Sequence, residues 1–223
     1  MPAGGRPAGR RSRSRARRAP ARWRRVTPLS LAACAGVVDL IAIVGLGGAF
    51  ASVVTGNLVT AGLGIGATNN HAFAAPAIAV AAYAAGVALA LLVPRVRWPG
   101  HLLVELALLG ALTAGWMATD GAPGRTTRLL LLATGSLAMG VQSVVARWLH
   151  ESTTYLTGTL TGAVHDLVTG REGTRAAAIG QLTALTAGAT VAAALLTAAR
   201  WSAPLLALLL LVAAITARRP ARA

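Results

Sequence analysis

The chain has 223 residues, of which 55% are hydrophobic and 12% are charged, and its mean hydropathy is +0.63. The formal net charge is +15, from 21 basic and six acidic residues. This composition excludes an ordinary water-soluble domain, because the uncharged stretches are long enough to cross a membrane, which takes about 20 helical residues. The single cysteine, Cys34, excludes a disulfide within the chain and a cysteine-based metal site.

The first 27 residues form a polar, basic tail. Ten of the 21 arginines lie between Arg6 and Arg25, among Ala, Gly, Pro and Ser. Such a segment cannot bury enough apolar surface to fold alone, so we expect residues 1–27 to be disordered and cytoplasmic. The cluster also favours binding to anionic lipid head groups. Nucleic-acid binding is not expected, because no pattern of stacking aromatics accompanies the arginines.

Eight hydrophobic segments follow, in a transmembrane domain that we place at residues 28–217, before a short basic cytoplasmic terminus at 218–223. Loop-forming residues separate the segments, and tryptophans lie near several of their ends, as is typical of membrane interfaces. The segments cover residues 29–48, 50–68, 73–93, 101–119, 128–149, 153–168, 176–199 and 202–217. The pattern predicts an all-α, polytopic transmembrane helical bundle. Arginine as the sole basic residue, with abundant Ala and Gly, indicates a bacterial protein, which we expect in the inner membrane.

A polar Thr-Gly element occurs twice within these apolar surroundings, as Thr55-Gly56-Asn57 and Thr157-Gly158-Thr159. A Gly-Val element precedes each copy, Gly36-Val37-Val38-Asp39 by 19 residues and Gly140-Val141-Gln142-Ser143 by 17. Two further apolar segments follow in both cases. The spacing predicts a two-fold internal repeat.

The repeat leaves two topologies open for the halves, residues 28–120 and 127–217. The second and sixth segments are rich in Gly and Thr. If both cross the membrane, there are eight spans and the halves are parallel repeats. If both are re-entrant or broken, there are six crossings and the halves are inverted, as in many secondary transporters. Arginine counting does not separate these arrangements, and we favour six crossings plus two irregular segments.

Four motifs of the chain carry a resemblance to a known family. They are Ala35–Asp39, Leu46–Phe50 leading into Val54–Asn57, Ala138–Ser143, and Ser152–Leu160. With these motifs the sequence resembles the YoaK-like family of bacterial integral membrane proteins, a domain of unknown function, over residues 28–217. The resemblance implies a membrane location and a helical fold but no established substrate. The sequence departs from the family pattern at Leu40, where a small residue is usual, and at Gln142-Ser143, where Gln-Asn is usual.

Asp39 lies about midway along the first segment. An acid at that depth costs at least about 2.5 kcal/mol on insertion scales, so it should face the bundle interior and be protonated or paired. Two interpretations stay open. Asp39 couples a proton or cation to function, or it makes a structural hydrogen bond, for example to a Thr or to Gln142.

Further candidates for a substrate or ion pathway are polar or small residues near the repeated elements. For the Thr and Gly residues alone we favour a packing role, with hydroxyls that bond back to their own helix and glycines that pack against a neighbour. The amides are harder to explain by packing, because each has four hydrogen-bonding sites to satisfy. These candidates are Thr55, Gly56, Asn57, Gln142, Thr157, Gly158 and Thr159.

No catalytic, cofactor or metal site is expected. The histidines lie near segment ends and do not combine with acids at the spacing of metal ligands. Glu105 is expected about one turn into the fourth segment, where it would pair with Arg95, Arg97 or the helix amino terminus.

The leading functional hypothesis is a secondary transporter or permease for a small solute or ion, with Asp39 as the coupling or binding acid. The alternative is a non-transporting scaffold or signalling protein that uses the Arg-rich tail to bind lipid or a partner. An enzyme is not expected, because no catalytic dyad or phosphate loop is visible. The expected partners are the lipid bilayer and further copies of the chain.

Overall fold

A computed structural model describes residues 23–92, 98–149, 156–170 and 175–217. These residues form helices and no strand. The helices are α1 (Trp23–Gly45), α2 (Val54–Gly66), α3 (Asn70–Leu92), α4 (Trp98–Met117), α5 (Arg125–Trp148), α6 (Leu156–Val168), α7 (Arg175–Ala198) and α8 (Ala203–Thr216), with a 3₁₀ turn at Arg200–Ser202 before α8. The all-α bundle is therefore confirmed. Of the predicted tail, residues 23–27 belong to α1, whereas residues 1–22 and the carboxyl-terminal residues 218–223 lie outside the described residues.

Helix length separates two kinds of segment. Five helices, α1, α3, α4, α5 and α7, are long and apolar enough to cross a membrane. In contrast, α2 and α6 have 13 residues each. At 1.5 Å per residue such a helix is about 20 Å long, short of a hydrocarbon core of about 30 Å. α8 has 14 residues and is extended by the 3₁₀ turn.

The centre of the bundle is formed by α1 and α5. Burial reaches 72% of the span in α5 and 61% in α1, but only 17% in α7. The Gln142 side-chain amide of α5 donates to the Leu31 carbonyl of α1, at 3.1 Å. Farther along, Gly135 of α5 faces Val38 of α1. Residue numbers rise in one helix as they fall in the other, so α1 and α5 are antiparallel.

Other pairs of contacts fix the remaining directions. α8 is antiparallel to α1, from the hydrogen bonds of Thr27 to Ala214 and of Cys34 to Ala207. α7 is parallel to α1, because Gly45 at the end of α1 and Arg200 just after the end of α7 both contact Trp116. α4 is antiparallel to α5, from the contacts of Leu112 with Gly135 and of Gly115 with Leu131. α3 is parallel to α5, because Ala90 near the end of α3 and Trp148 at the end of α5 both contact His101.

These directions correspond to six crossings. The helices α1, α4 and α7 run one way, and α3, α5 and α8 run the other way. Because α1 and α3 are antiparallel, α2 between them begins and returns on one side of the bundle. The same holds for α6 between α5 and α7. Each half therefore contributes three helices that alternate in direction, of which α8 is the shortest with 14 residues. Each half also contributes one short helix that begins and ends on the same side, and the halves are inverted relative to each other.

Glycines at equivalent positions of the two halves bring helix backbones together. At each position a Cβ atom would collide with a carbonyl oxygen of the facing helix, so only glycine allows the approach. The contacts of α1 with α7 match those of α5 with α3, residue for residue. The pairs are Gly36 with Leu185 and Gly188 with Ala33 in the first crossing, and Gly140 with Tyr83 and Gly86 with Leu137 in the second.

Replacing a crossing glycine should destabilise the bundle. We expect Gly140→Ala to cost about 1–3 kcal/mol, because overpacking must push α3 and α5 apart. Thermal unfolding in detergent can be followed with a maleimide dye that reaches the buried Cys34 thiol only after unfolding. The control is Gly110→Ala in α4, where a Cβ meets nothing within 4 Å. Equal melting temperatures for the two variants would contradict the close crossing.

Single cysteines can test the re-entrant arrangement. In a Cys34→Ser background, Ala67→Cys, Ala118→Cys and Thr169→Cys place thiols at exposed positions after α2, α4 and α6. With six crossings, residues 67 and 118 lie on one side of the membrane and residue 169 on the other. An impermeant maleimide applied to intact cells should therefore label either both residues 67 and 118 or residue 169 alone. Eight crossings would place all three on one side, so identical labelling would disprove the six-crossing arrangement.

Candidate functional site

The segment between α1 and α2 is non-helical, and after the exposed Gly47 and Gly48 it returns to buried and partly buried positions. Leu46, Ala49, Ala51 and Ser52 are each at most 4% exposed. Gly47 and Gly48 have φ values of +120° and +80°, which a side chain would disfavour, so they allow the chain to turn back after α1. Residues 46–53 thus re-enter the bundle instead of lying on its surface.

Asp39 fixes this segment to α1. The Ser52 backbone N–H donates to Asp39 Oδ1 at 2.8 Å, and the Ser52 hydroxyl donates to Oδ2 at 2.6 Å. Asp39 lies six residues before the end of α1, about 9 Å along the helix axis at 1.5 Å per residue. Both carboxyl oxygens are therefore used to hold Ser52 well inside the bundle.

Asn57 closes the segment from the side of α2. Its Oδ1 accepts from the Phe50 N–H at 2.9 Å, and its Nδ2 donates to the Phe50 carbonyl at 2.6 Å. One amide therefore satisfies both backbone groups of Phe50, which would otherwise cost several kcal/mol in a water-free environment. Asn57 is 2% exposed, so this contact belongs to the interior.

The two contacts place the amino terminus of α2 inside the bundle, near the depth of Asp39. No side chain caps α2 at Val53. Thr55 is exposed and Gly56 partly exposed, so the first turn of the helix is open to its surroundings. A helix amino terminus carries a partial positive charge and unpaired N–H groups, which suit an anionic or polar ligand.

Gln142 lies apart from this site. It is fully buried and joins α5 to Leu31, eight residues before Asp39 on α1, which is about 12 Å along the helix. The structural interpretation of Asp39 gave a Thr or Gln142 as examples of its partner, but the structure assigns the hydrogen bonds to Ser52. The serine could not be identified from spacing alone, because it follows a turn whose course is set by Gly47 and Gly48.

The second Thr-Gly element lies in a different environment. Thr157 and Gly158 of α6 are exposed, and Thr159 is partly exposed. The Thr157 carbonyl accepts a hydrogen bond from Thr161 at 3.0 Å, within the same helix. α6 packs on α7, whereas α2 packs on α3. The structure therefore does not bring the two elements together, and residues 153–155 lie outside the described residues.

Ser143 occupies the position that corresponds to Asp39 when Gly140 is matched with Gly36. Its hydroxyl donates to the Gly140 carbonyl of its own helix at 2.7 Å. A serine is too short to reproduce the two-oxygen contact of Asp39 with a connecting segment. The two halves thus have the same helix crossings but differ in the polar contacts at the site.

Glu105 is a second buried acid, and its importance was not recognised from the sequence. It is fully buried in α4, and neither carboxyl oxygen has a hydrogen-bond partner among the described residues. Arg95 and Arg97, its expected partners, lie outside the described residues. The signal that could have found it is the one used for Asp39, an acid within an apolar span.

Comparison with known proteins gives the family. A model of the family described as "Protein of unknown function (DUF1275)" matches residues 28–217. The chain belongs to this family. It is also 29% identical, over 140 residues, to UPF0700 transmembrane protein YoaK of Bacillus subtilis (strain 168). The match spans 60% of this chain and 62% of that relative, less than two thirds of its length. No solved structure matches the chain.

The family match and the apolar helices agree on one property. The chain is a multi-pass transmembrane protein, as the resemblance to the YoaK-like family implied. Apart from the first five residues of α1, the helices and the connecting segment 46–53 lie within residues 28–217, the range that the family model covers.

The contact between Asp39 and Ser52 can be measured by a double-mutant cycle. Asp39→Ala should destabilise more than Ser52→Ala, because it leaves two buried donors unsatisfied at about 1–3 kcal/mol each. The coupling energy between the two should be about 0.5–3 kcal/mol. The control cycle pairs Asp39→Ala with Thr134→Ala, a hydroxyl that bonds back to Leu130 of its own helix. Additivity in both cycles would contradict the contact.

Proposed function

We propose that this protein is a secondary transporter or permease for a small solute or ion, located in the bacterial inner membrane with both termini in the cytoplasm. The observation that carries the proposal is the buried re-entrant segment 46–53, held by an acid within one of two inverted halves. Irregular backbone at membrane depth is tolerated where it lines a site, and inverted halves with broken helices are typical of secondary transporters.

Asp39 is proposed as the coupling acid because its state of charge acts directly on the segment. The ionised carboxylate accepts from both the N–H and the hydroxyl of Ser52. Protonation converts one carboxyl oxygen into a donor, so the hydroxyl must reorient or separate. A bound cation would likewise compete with Ser52 for the oxygens. Either event favours a second position of the segment, and so couples binding to a change of conformation.

The solute site is proposed at the amino terminus of α2. Thr55 and Gly56 form its exposed first turn and offer a hydroxyl and backbone N–H groups. Asn57 has a positioning role, since its amide is used to hold Phe50. The positive end of the helix favours solutes that carry an anionic or strongly polar group.

The remaining candidates have narrower roles in the proposal. Thr157, Gly158 and Thr159 belong to the inverted half, so they would approach the solute path from the opposite membrane face. Gln142 joins α5 to α1 through its hydrogen bond to Leu31, so its proposed role is to stabilise the packing of one half against the other. Anionic lipid binding by the tail, at residues 1–27, and association of several copies are further parts of the proposal.

Proton flux provides a test that needs no known solute. Proteoliposomes loaded with a pH-sensitive dye, with a membrane potential set by potassium and valinomycin, should show protein-dependent proton movement when a solute panel is added. Asp39→Asn keeps the shape of the side chain but cannot exchange a proton, so it should abolish the proton movement. The matched control is Asp120→Asn, at an exposed turn where φ is +47° and Asn is well tolerated.

Two outcomes would overturn the proposal. If Asp39→Asn and Asp120→Asn both leave proton movement unchanged, Asp39 is not the coupling acid. If deletion of residues 1–25 abolishes the cellular function while Asp39→Asn is harmless, the scaffold alternative is selected. Metabolite profiles of a deletion strain and its complemented parent would supply the solute panel.

A further inference from the structure

Glu105 is buried more completely than Asp39 and lacks the contacts that Asp39 has. Its exposed fraction is 0%, against 8% for Asp39. Neither Oε1 nor Oε2 of Glu105 has a hydrogen-bond partner among the described residues. An ionised carboxylate in this position would lose its hydration with nothing in exchange, at a cost far above that of the neutral acid.

No positive charge from the described part of the chain compensates Glu105. α4 packs against α5, α8 and the 3₁₀ turn. The buried faces of α5 and α8 carry no titratable side chain. Among the described side chains of α1, the titratable groups are Cys34 and Asp39. Arg200 lies at the far end of α4, over the Trp116 ring.

His101 lies one helical turn before Glu105, on the same face of α4. It is 2% exposed, and its Nε2 lies 2.9 Å from the Ala90 carbonyl. A carbonyl can only accept, so the neutral ring carries its proton on Nε2 and leaves Nδ1 as a base. Nδ1 has no hydrogen-bond partner among the described residues. The ring also packs edge-to-face on Trp148, with centroids 4.8 Å apart.

This arrangement joins the core of the bundle to one of its faces. Trp148 ends α5 and is 45% exposed, and it is in direct contact with His101. Glu105 follows at the next turn of α4. A buried imidazole with one unpartnered ring nitrogen thus lies between a partly exposed residue and a buried acid.

We propose that Glu105 is a proton-binding site within the membrane and that His101 exchanges its proton with the face of the bundle where α4 begins. In loading, a proton from that face adds to His101 Nδ1. The two side chains are not hydrogen-bonded to each other in this structure, so a rotation of one side chain or a bridging water carries the proton from Nδ1 to a Glu105 carboxyl oxygen. Unloading reverses both steps, so no other reactant is needed. The site does not rest on the transporter proposal, because proton binding requires no solute and no contribution from Asp39.

The two buried acids occupy opposite halves of the membrane domain. α1 and α4 run in the same direction. Asp39 lies six residues before the end of α1, and Glu105 lies seven residues after the start of α4. Proton exchange at Glu105 is therefore directed to the face opposite the re-entrant segment.

The protonated carboxyl can be observed directly in the full-length protein. Its carbonyl stretch in infrared difference spectra between acidic and alkaline buffers should disappear in Glu105→Gln and persist in Asp39→Asn and Asp120→Asn. Dicyclohexylcarbodiimide, an apolar reagent that adds to protonated carboxyl groups, should modify Glu105 more slowly as the pH rises. Peptide mass spectrometry locates the adduct, and continued protection of Cys34 from maleimide shows that each variant is folded.

His101 is tested by the rate of exchange and not by the presence of the band. In His101→Gln the carbonyl band should remain, while its shift after transfer to deuterium oxide should be slower by about tenfold or more, since a positioned acid-base group contributes at least that much. An unchanged exchange rate would overturn the role of His101.

The other outcomes are equally decisive. Absence of a band assigned to Glu105, or of any carbodiimide adduct at Glu105, would overturn proton binding. Protection of Glu105 by sodium at constant pH would identify a cation site and overturn the proposal in the same way. A normal band in a protein that shows no proton flux would count against the transporter proposal alone.

Discussion

Backbone polar groups inside a membrane bundle must find partners within the protein, because hydrocarbon offers none. Helices meet this requirement by themselves, but residues 49–53 are buried or partly buried without being helical. Asp39 and Asn57 supply what the segment lacks, one by accepting from Ser52 and the other by bonding both backbone groups of Phe50. The position of α2, its open first turn and the re-entrant shape of the first half all depend on these two side chains.

The two halves have the same helix crossings but differ in the polar residues near the connecting segments. The glycine crossings recur in both halves, with Gly140 and Gly86 matching Gly36 and Gly188. At the polar positions the correspondence ends, since Ser143 stands in place of Asp39 and Thr159 in place of Asn57. Packing between inverted halves constrains both copies equally, whereas the proposed solute path would need its charged group only once.

The helical bundle could be predicted from the sequence, because long apolar spans and the repeated Gly-Val and Thr-Gly pattern are visible as local composition and spacing. The depth of Asp39 also pointed to an interior contact. Its partner Ser52 could not be predicted, because two glycines with positive φ set the course of the connecting segment.

The environment of Glu105 was predicted incompletely from the sequence. Its position near the start of a span suggested an interfacial ion pair, but burial depends on how α1, α5 and α8 surround α4, and periodicity within one helix does not reveal it. The exposure of Thr157 and Gly158 has the same origin. A short helix that packs on one neighbour leaves most of its surface uncovered, whatever polar residues it carries.

The glycine crossings affect how a genetic screen of this protein should be interpreted. Where backbone meets backbone, no rotamer change can absorb an added methyl group, so positions 36, 86, 140 and 188 should tolerate the fewest substitutions. None of them carries a functional group. Maps of mutational sensitivity would therefore be dominated by the two glycine crossings, which have no chemical role. Residues with a binding role would be recognised only if the amount of protein in the membrane is measured separately from its activity.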